Sequence, residues 1–520
     1  MKQRPNVLWI MTDQHHAGCV GYNGHPDVKT PALDRLAGRS VNFTNAFANN
    51  PICAPSRVCF MTGRYIKNHR RAGNDNFLHG DDGHAATLAA ACRQRGYQTA
   101  VVGKSHMVPA WDAAMFEHVR YTDIFDACPS DPRTCHYFDY LCNKGLGDFL
   151  EDSEAIAGNE AALDGSRPSV LKYEDTNEHY TGNETLAFLQ GRDRRRPFFL
   201  QMSFYRPHSP ILPAQEFFDL YDPDKLTLPP SAGEFLSGNF KTKHTTQARI
   251  LGDGLRYPLA ADEKTLRRCL ASYYGLITAI DGEIGRALDF LEREGELDNT
   301  IVLFTADHGD FAGEHGLFHK NLGIYDAVQR IPFLLSWPGG PGGIRDDRLV
   351  ESVDWFPTVC DLCDVPPPGP LDGQSLIAGG TLTTPAKEAV FCEWCNFVPA
   401  GRISSIRTGR YRLNYSAATS EGELYDHQTD PGETRNLYAD PAHSETKTAL
   451  LERLLAFNMT YGLMTDPATD SASFAVLNDT PARRIWRGAA YWSDLEADRA
   501  NRPTWPPPGA SPYGTDQVIP

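Results

Sequence analysis

Asn6-Val7-Leu8-Trp9-Ile10-Met11-Thr12-Asp13-Gln14 and Ile301-Val302-Leu303-Phe304-Thr305-Ala306-Asp307-His308 are the stretches whose reading decides the fold. Each is a short apolar run, β-branched or aromatic, that stops where polar side chains begin, as a buried strand does at its carboxyl end. The runs at 98–102 and 198–204 have the same character. Between them lies helical spacing: Tyr273, Ile277, Ile280, Ile284, Leu288 and Leu291 recur every three or four residues up to Gly295, a stripe that predicts core packing. Strands alternating with helices through the first two-thirds of the chain predict an α/β sheet covered on both faces, with any ligand beyond the carboxyl ends of the strands.

Working outward, 520 residues are too many for one small core and predict a large domain with a smaller companion. After Asp372-Gly373-Gln374-Ser375-Leu376 the chain turns Gly/Thr-rich; strand-like runs follow at 389–392, 403–407, 411–415 and 423–425, then a helical run at 449–458. The expected division is a catalytic α/β domain over 1–385, a small antiparallel sheet plus helix over 386–465, and a tail over 466–520. The tail carries Trp486, Trp492 and Trp505 ahead of Pro506-Pro507-Pro508, aromatics expected to pack on the main domain or on a second subunit of a homo-oligomer.

The net charge of −16 argues against a nonspecific nucleic-acid binder, and an anion site would need a bound cation with a few converging basic groups. No apolar stretch reaches the length of a membrane span, and the apolar run after Met1-Lys2-Gln3-Arg4-Pro5 is too short for a signal sequence, so a soluble cytoplasmic protein is expected. Twelve cysteines without dense spacing fit reduced thiols; the Cys360/Cys363 and Cys392/Cys395 pairs lack Gly-rich knuckles and read as small buried apolar residues rather than a zinc site.

Chemistry gathers at the strand ends. Asp13 and Gln14 follow one strand and Asp307 and His308 another, four oxygen or nitrogen donors that together suit one cation. Pro51-Ile52-Cys53-Ala54-Pro55-Ser56-Arg57, followed by Thr62-Gly63-Arg64, places Cys53 at a helix start, where backbone N–H groups favour negative charge, with Arg57 one turn on along the same face. A thiolate nucleophile fits such a position, though no phosphate-cradling glycine loop follows.

The Cys-x-Pro-Ser-Arg run with Thr-Gly-Arg downstream resembles the signature of the type I sulfatases of the alkaline-phosphatase superfamily, over roughly residues 5–440. The resemblance implies a large mixed sheet sandwiched by helices, and oxidation of Cys53 to formylglycine by a formylglycine-generating enzyme. One hydroxyl of the hydrated aldehyde would attack sulfur and the other would expel sulfate. Residue by residue it implies Asp13, Gln14, residue 53, Asp307 and His308 as metal ligands. Calcium is the expected ion because most donors are oxygens, and manganese is the alternative because His308 brings a nitrogen. The Gln14 and His308 pairing is similar to the subgroup of choline sulfatases and phosphonate monoester hydrolases.

Further runs carry the same resemblance. Gly103-Lys104-Ser105-His106 implies Lys104 on a sulfate oxygen and His106 on the diol, a pair that favours sulfate over phosphonate esters. Pro207-His208-Ser209-Pro210 implies His208 near the leaving oxygen as general acid, and Gly313-Glu314-His315-Gly316-Leu317-Phe318-His319-Lys320 implies Lys320 as a sulfate ligand. Asn74 matches an Asn near the sulfate, and Arg57 supplies a cation beside the nucleophile. The expected substrate is the sulfate ester of a small organic molecule, its alcohol read by loops such as 111–120, 128–142 and 394–397. The rivals are a phosphonate or phosphate diester hydrolase of the same superfamily, and a noncatalytic anion- or metal-binding protein with an unmodified Cys53.

Overall fold

A computed structural model describes residues 4–71, 73–74, 86–107, 114–122, 135–149, 166–236, 262–320, 323–383, 386–394, 403–416 and 419–462. The tail at 466–520 and, of the three loops expected to read the alcohol, residues 111–113, 128–134 and 395–397 lie outside the described residues.

The apolar run at residue 6 forms β1 (Asn6–Asp13), buried along its whole length. Its side chains alternate between two cores, as strand geometry requires. Val7, Trp9 and Met11 enter one cluster with Phe60, Phe199 and Trp355, while Leu8 and Ile10 enter the other with Ile280, Ile284 and Phe304. A strand buried on both faces cannot show a polar alternation, which is why the sequence reads as a continuous apolar run.

Eight more strands complete the sheet: β2 (Val41–Phe47), β3 (Gln98–Gly103), β4 (His118–Tyr121), β5 (Phe198–Pro207), β6 (Thr300–Ala306), β7 (Arg330–Ile331), β8 (Phe333–Ser336) and β9 (Ile344–Glu351). The order is β4-β3-β5-β1-β6-β8-β2-β7, with β9 on β2. From β4 to β6 every pairing is parallel; β8 then runs antiparallel to β6, and the sheet is mixed. Parallel neighbours put the carboxyl ends of β3, β5, β1 and β6 side by side along one edge, and the polar runs singled out in the sequence leave from those four ends.

Helices cover both faces. On the side of Trp9 lie α1 (Cys53–Thr62), α2 (Leu88–Gln94) and α3 (Trp355–Cys363), the last burying Cys360 and Cys363 as apolar residues. On the other side a 31-residue helix, Glu263–Arg293, is capped by the Asp262 carboxylate on Thr265 N and buries the whole stripe from Tyr273 to Leu291.

Four antiparallel strands, Ala389–Trp394, Ile403–Thr408, Tyr411–Ser416 and Glu421–Asp426, form the small sheet, and the helix Ser444–Gly462 follows. Cys392, Trp394, Ile403 and Tyr425 pack against Ile52, Phe311 and Ile324, so the small sheet shares a core with the segment that begins α1. Arg412, fully buried, fastens the same junction by donating to Glu433 (2.5 Å), Gln329 (2.5 Å) and Asp326.

Candidate active site

The site grows from the β1 and β6 ends. Thr12 pairs with Ala306 in register, so Asp13 and Asp307 leave adjacent strands at the same level. Gln14 then takes a left-handed backbone conformation (φ 61°), held by donation from its N–H to Asp307 Oδ1 (3.1 Å) and by acceptance at its carbonyl from the Tyr273 hydroxyl (2.7 Å). Tyr273, read from the sequence as core, therefore also pins a site residue.

Cys53 is the first residue of α1 and is 1% exposed. Around its Sγ lie Lys320 Nζ at 2.8 Å, His308 Nε2 at 3.3 Å and Asp13 Oδ1 at 3.7 Å. The donor atoms of Asp13, Cys53, Asp307 and His308 all fall within 4.8 Å of one another, and all four residues are buried. His308 gives its Nδ1–H to the Gly309 carbonyl (2.9 Å), which turns the Nε2 lone pair into the cluster, and burial first of all pushes its pKa down and keeps the ring neutral. Gln14 Oε1 is buried without a hydrogen-bond partner, an acceptor left over for something the polypeptide does not supply.

Basic groups converge on the same point. Burial would raise the Asp13 carboxyl, but Lys104, Lys320, His208 and Arg57 hold it well below its ordinary value. Lys104 Nζ stands 2.9 Å from Asp13 Oδ2 and over the Tyr205 ring. Gly103 makes this approach feasible: at φ 104° its hydrogen faces Ser203 O, where a Cβ would lie 1.7 Å away, and the next residue turns in to donate Lys104 N to that same oxygen (2.8 Å).

Arg57, expected from the sequence as a cation beside the nucleophile, is held by the carboxylates of the same cluster. Its guanidinium is fully buried and donates to Asp307 Oδ2 (2.8 Å), Asp13 Oδ2 (3.2 Å), the Lys104 carbonyl (2.7 Å) and Ser203 Oγ (2.9 Å). It ties three strand ends together. A planar five-donor fork reaches all four partners at once, which neither helical spacing nor charge alone reveals.

Asn74 is brought to α1, its Oδ1 accepting from Ala54 N (3.2 Å), one residue past Cys53. His208 leaves the β5 end with Nδ1–H on Ser209 O (2.7 Å); burial and then Lys320 push its pKa well down. His106 is buried past the β3 end in a left-handed conformation (φ 55°). Two residues escaped the sequence reading of roles, His319 inside a run it quoted and Asp310 two residues past another: they accept from the Gln14 amide at 3.0 and 2.6 Å.

A strand-end cluster of this kind, with a buried cysteine opening a helix among carboxylates and lysines, could hold a cation together with an anionic ester. The profile of the family described as Sulfatase matches residues 5–365, and the chain belongs to that family of sulfuric ester hydrolases. A second profile, described as the C-terminal region of N-sulphoglucosamine sulphohydrolase, matches 313–460. The chain is 32% identical to an arylsulfatase of Clostridium perfringens over 85% of this chain and 92% of that one. It is 30% identical to a choline-sulfatase of Rhizobium meliloti, over 84% and 83%. Among solved structures, a phosphonate monoester hydrolase from Silicibacter pomeroyi superposes with a TM-score of 0.71 at 26% identity, covering 88% of this chain and 96% of that one.

Proposed function

We propose that the chain hydrolyses the sulfate ester of a small organic alcohol with residue 53 in the formylglycine form and one divalent cation, calcium ahead of manganese, held by Asp13, Gln14, residue 53, Asp307 and His308. The observation that carries this is the placement of Cys53 Sγ inside the buried donor cluster, against Lys320. The sulfur stands where the oxygens of the hydrated aldehyde would be. The orphaned Gln14 Oε1 and the neutral His308 Nε2 fit the same ion. When bound, a divalent cation supplies Lewis-acid polarisation of the ester and lowers the pKa of the attacking hydroxyl. Hydrated formylglycine contributes two hydroxyls on one carbon, one to attack and one to expel sulfate, which a thiol lacks.

The remaining work belongs to the chain's own side chains. Lys104 stands at Asp13 Oδ2 and Lys320 on the side of Oδ1, and both would neutralise non-bridging sulfate oxygens. Arg57 donates to both the Asp13 and the Asp307 carboxylates and fixes their positions. His208 is held neutral by burial and by Lys320; an anionic ester seated between the lysines offsets that effect and lets the ring carry the proton for the leaving oxygen. His106 and Asn74 flank the diol and the sulfate.

Buried free cysteines, Cys59, Cys92 and Cys363 among them, support a reducing cytoplasmic setting, with a formylglycine-generating enzyme as the maturation partner. No helix among the described residues is long and apolar enough to cross a membrane. The second reading, phosphonate monoester hydrolysis, is favoured by the Gln14 and His308 pairing and by the phosphonate hydrolase neighbour. Lys104 favours sulfate. Mass analysis of the peptide containing residue 53 tests the proposal: formylglycine is lighter than cysteine and forms hydrazones. An unmodified thiol in fully active protein would overturn it.

A further inference from the structure

Gln14 has a side chain with two opposed ends. The oxygen can face a cation; the amide nitrogen, with two hydrogens, would repel one. Which end faces the cluster is decided by what the other end meets. Nε2 has acceptors on two sides, Asp310 Oδ2 at 2.6 Å and His319 Nδ1 at 3.0 Å, whereas Oε1 has no hydrogen-bond partner. Asp310 is fully buried, and its second oxygen is also spoken for: Oδ1 accepts from Ala312 N (2.6 Å) and His319 N (3.0 Å). A carboxylate with donors on both oxygens cannot rotate away, so it presents Oδ2 to Gln14 as a fixed acceptor.

We propose that Asp310, with His319 as the second acceptor, is the positioning residue that aims Gln14 Oε1 at the cation. It touches neither substrate nor reacting atoms. Through His319 N it also anchors the backbone next to Lys320, whose ammonium contacts residue 53, so one buried carboxylate sets both an amide ligand and the loop bearing a sulfate-binding lysine. The inference rests on the cation reading given under Proposed function. It further explains why an amide rather than a carboxylate occupies position 14: a carboxylate there would set oxygen against oxygen at 2.6 Å.

The test is calorimetric titration of metal-stripped protein with calcium and, separately, with manganese. Asp310→Asn keeps an oxygen for the Ala312 and His319 N–H groups but turns an NH2 toward Gln14, and the amide must flip. The expected result is a dissociation constant raised about tenfold to a hundredfold, in the range seen when outer-shell partners of metal ligands are lost. Gln14→Glu alone should lower the melting temperature of the stripped protein. The double variant, Gln14→Glu with Asp310→Asn, reverses the direction of the hydrogen bond and should restore both that melting temperature and cation affinity. The double variant keeps the test open if Asp310→Asn alone does not fold. Wild-type protein that binds neither ion overturns the cation reading itself. Wild-type binding with Asp310→Asn unchanged, or a double variant no better than Gln14→Glu, overturns the role of Asp310 and leaves the cation reading standing.

Discussion

Replacing Arg57 with Met removes the charge and the fork but keeps most of the volume, and so isolates what the guanidinium does. In the folded protein it donates to two carboxylates that are completely buried, Asp307 Oδ2 at 2.8 Å and Asp13 Oδ2 at 3.2 Å. Asp13 retains Lys104 at 2.9 Å and Lys320 at 3.9 Å. Asp307 keeps two backbone donors on Oδ1, Gln14 N and His308 N, while its Oδ2 loses the Arg57 donor. Removing one partner of a buried ion pair costs about 3–5 kcal/mol, because the remaining charge is neither solvated nor paired. In a chain of this size, with roughly 2 cal/mol/K of unfolding entropy per residue, that is a melting temperature lower by about 3–5 °C. The comparison should be made by denaturant and thermal unfolding of metal-stripped protein in a Cys53→Ala background, where maturation of residue 53 cannot differ between variants. Arg57→Lys keeps the charge without the fork and should fall between wild type and Arg57→Met. Adding the cation should narrow the gap, since it neutralises the same two carboxylates. A loss below about 1 kcal/mol for Arg57→Met would refute the view that this arginine is the clamp of the site, the usual figure for an exposed pair rather than a buried one.

Other outcomes follow from the same geometry. Lys104→Ala should lower kcat/KM for sulfate esters by about a hundredfold, the scale of one lost charge-stabilising donor, with a smaller loss on phosphonate monoesters; equal losses would count against sulfate as the preferred ester. Chelation should abolish turnover, and Asp307→Ala should lose the bound cation, read by elemental analysis, while circular dichroism stays native; full activity in metal-free protein would contradict the site. Acid should destabilise the fold through histidines buried in the neutral form. Burial pushes His15 down to about 4 and His69 down to about 3. The unfolded chain takes up these protons as pH falls through about 6.5 and the folded chain does not, so their contribution is complete above pH 6.5 and is lost as pH falls toward 4. At pH 5 each costs about 2 kcal/mol. His15→Gln should shrink the stability difference between pH 7 and pH 5 by that amount, and an unchanged difference would show that His15 titrates normally.

The main strands, the long helix and the small sheet were legible because their signals are local. An apolar run ending in polar residues is a property of six to eight consecutive side chains, and the stripe from Tyr273 to Leu291 is a property of one helix. The observed strands extend the expected ones by one to three residues at their ends, where the next side chain can still be buried although polar, as at Asp13. Short strands such as Arg330–Ile331 and Phe333–Ser336 went unread, since two to four residues carry no period, and so did Val41–Phe47 and Ile344–Glu351, whose polar and charged residues break the apolar run. The resemblance of the Cys53 run to the sulfatase signature brought the site residues onto one page, again from short contiguous motifs.

What the sequence by itself determined is therefore which residues stand at strand ends and which open the helix at Cys53. Tertiary structure decided which ends are neighbours. The order β3-β5-β1-β6 brings together segments as far apart in the chain as Asn6 and Thr300, and nothing in a strand's own composition names its partner. It also decided roles that depend on direction rather than identity. Arg57 faces the carboxylates of Asp13 and Asp307, Tyr273 turns its hydroxyl to the Gln14 backbone, and Asp310 chooses the end of the Gln14 amide that looks inward. A sequence specifies donors and acceptors; only packing that leaves each of them one partner within about 3 Å specifies where they point.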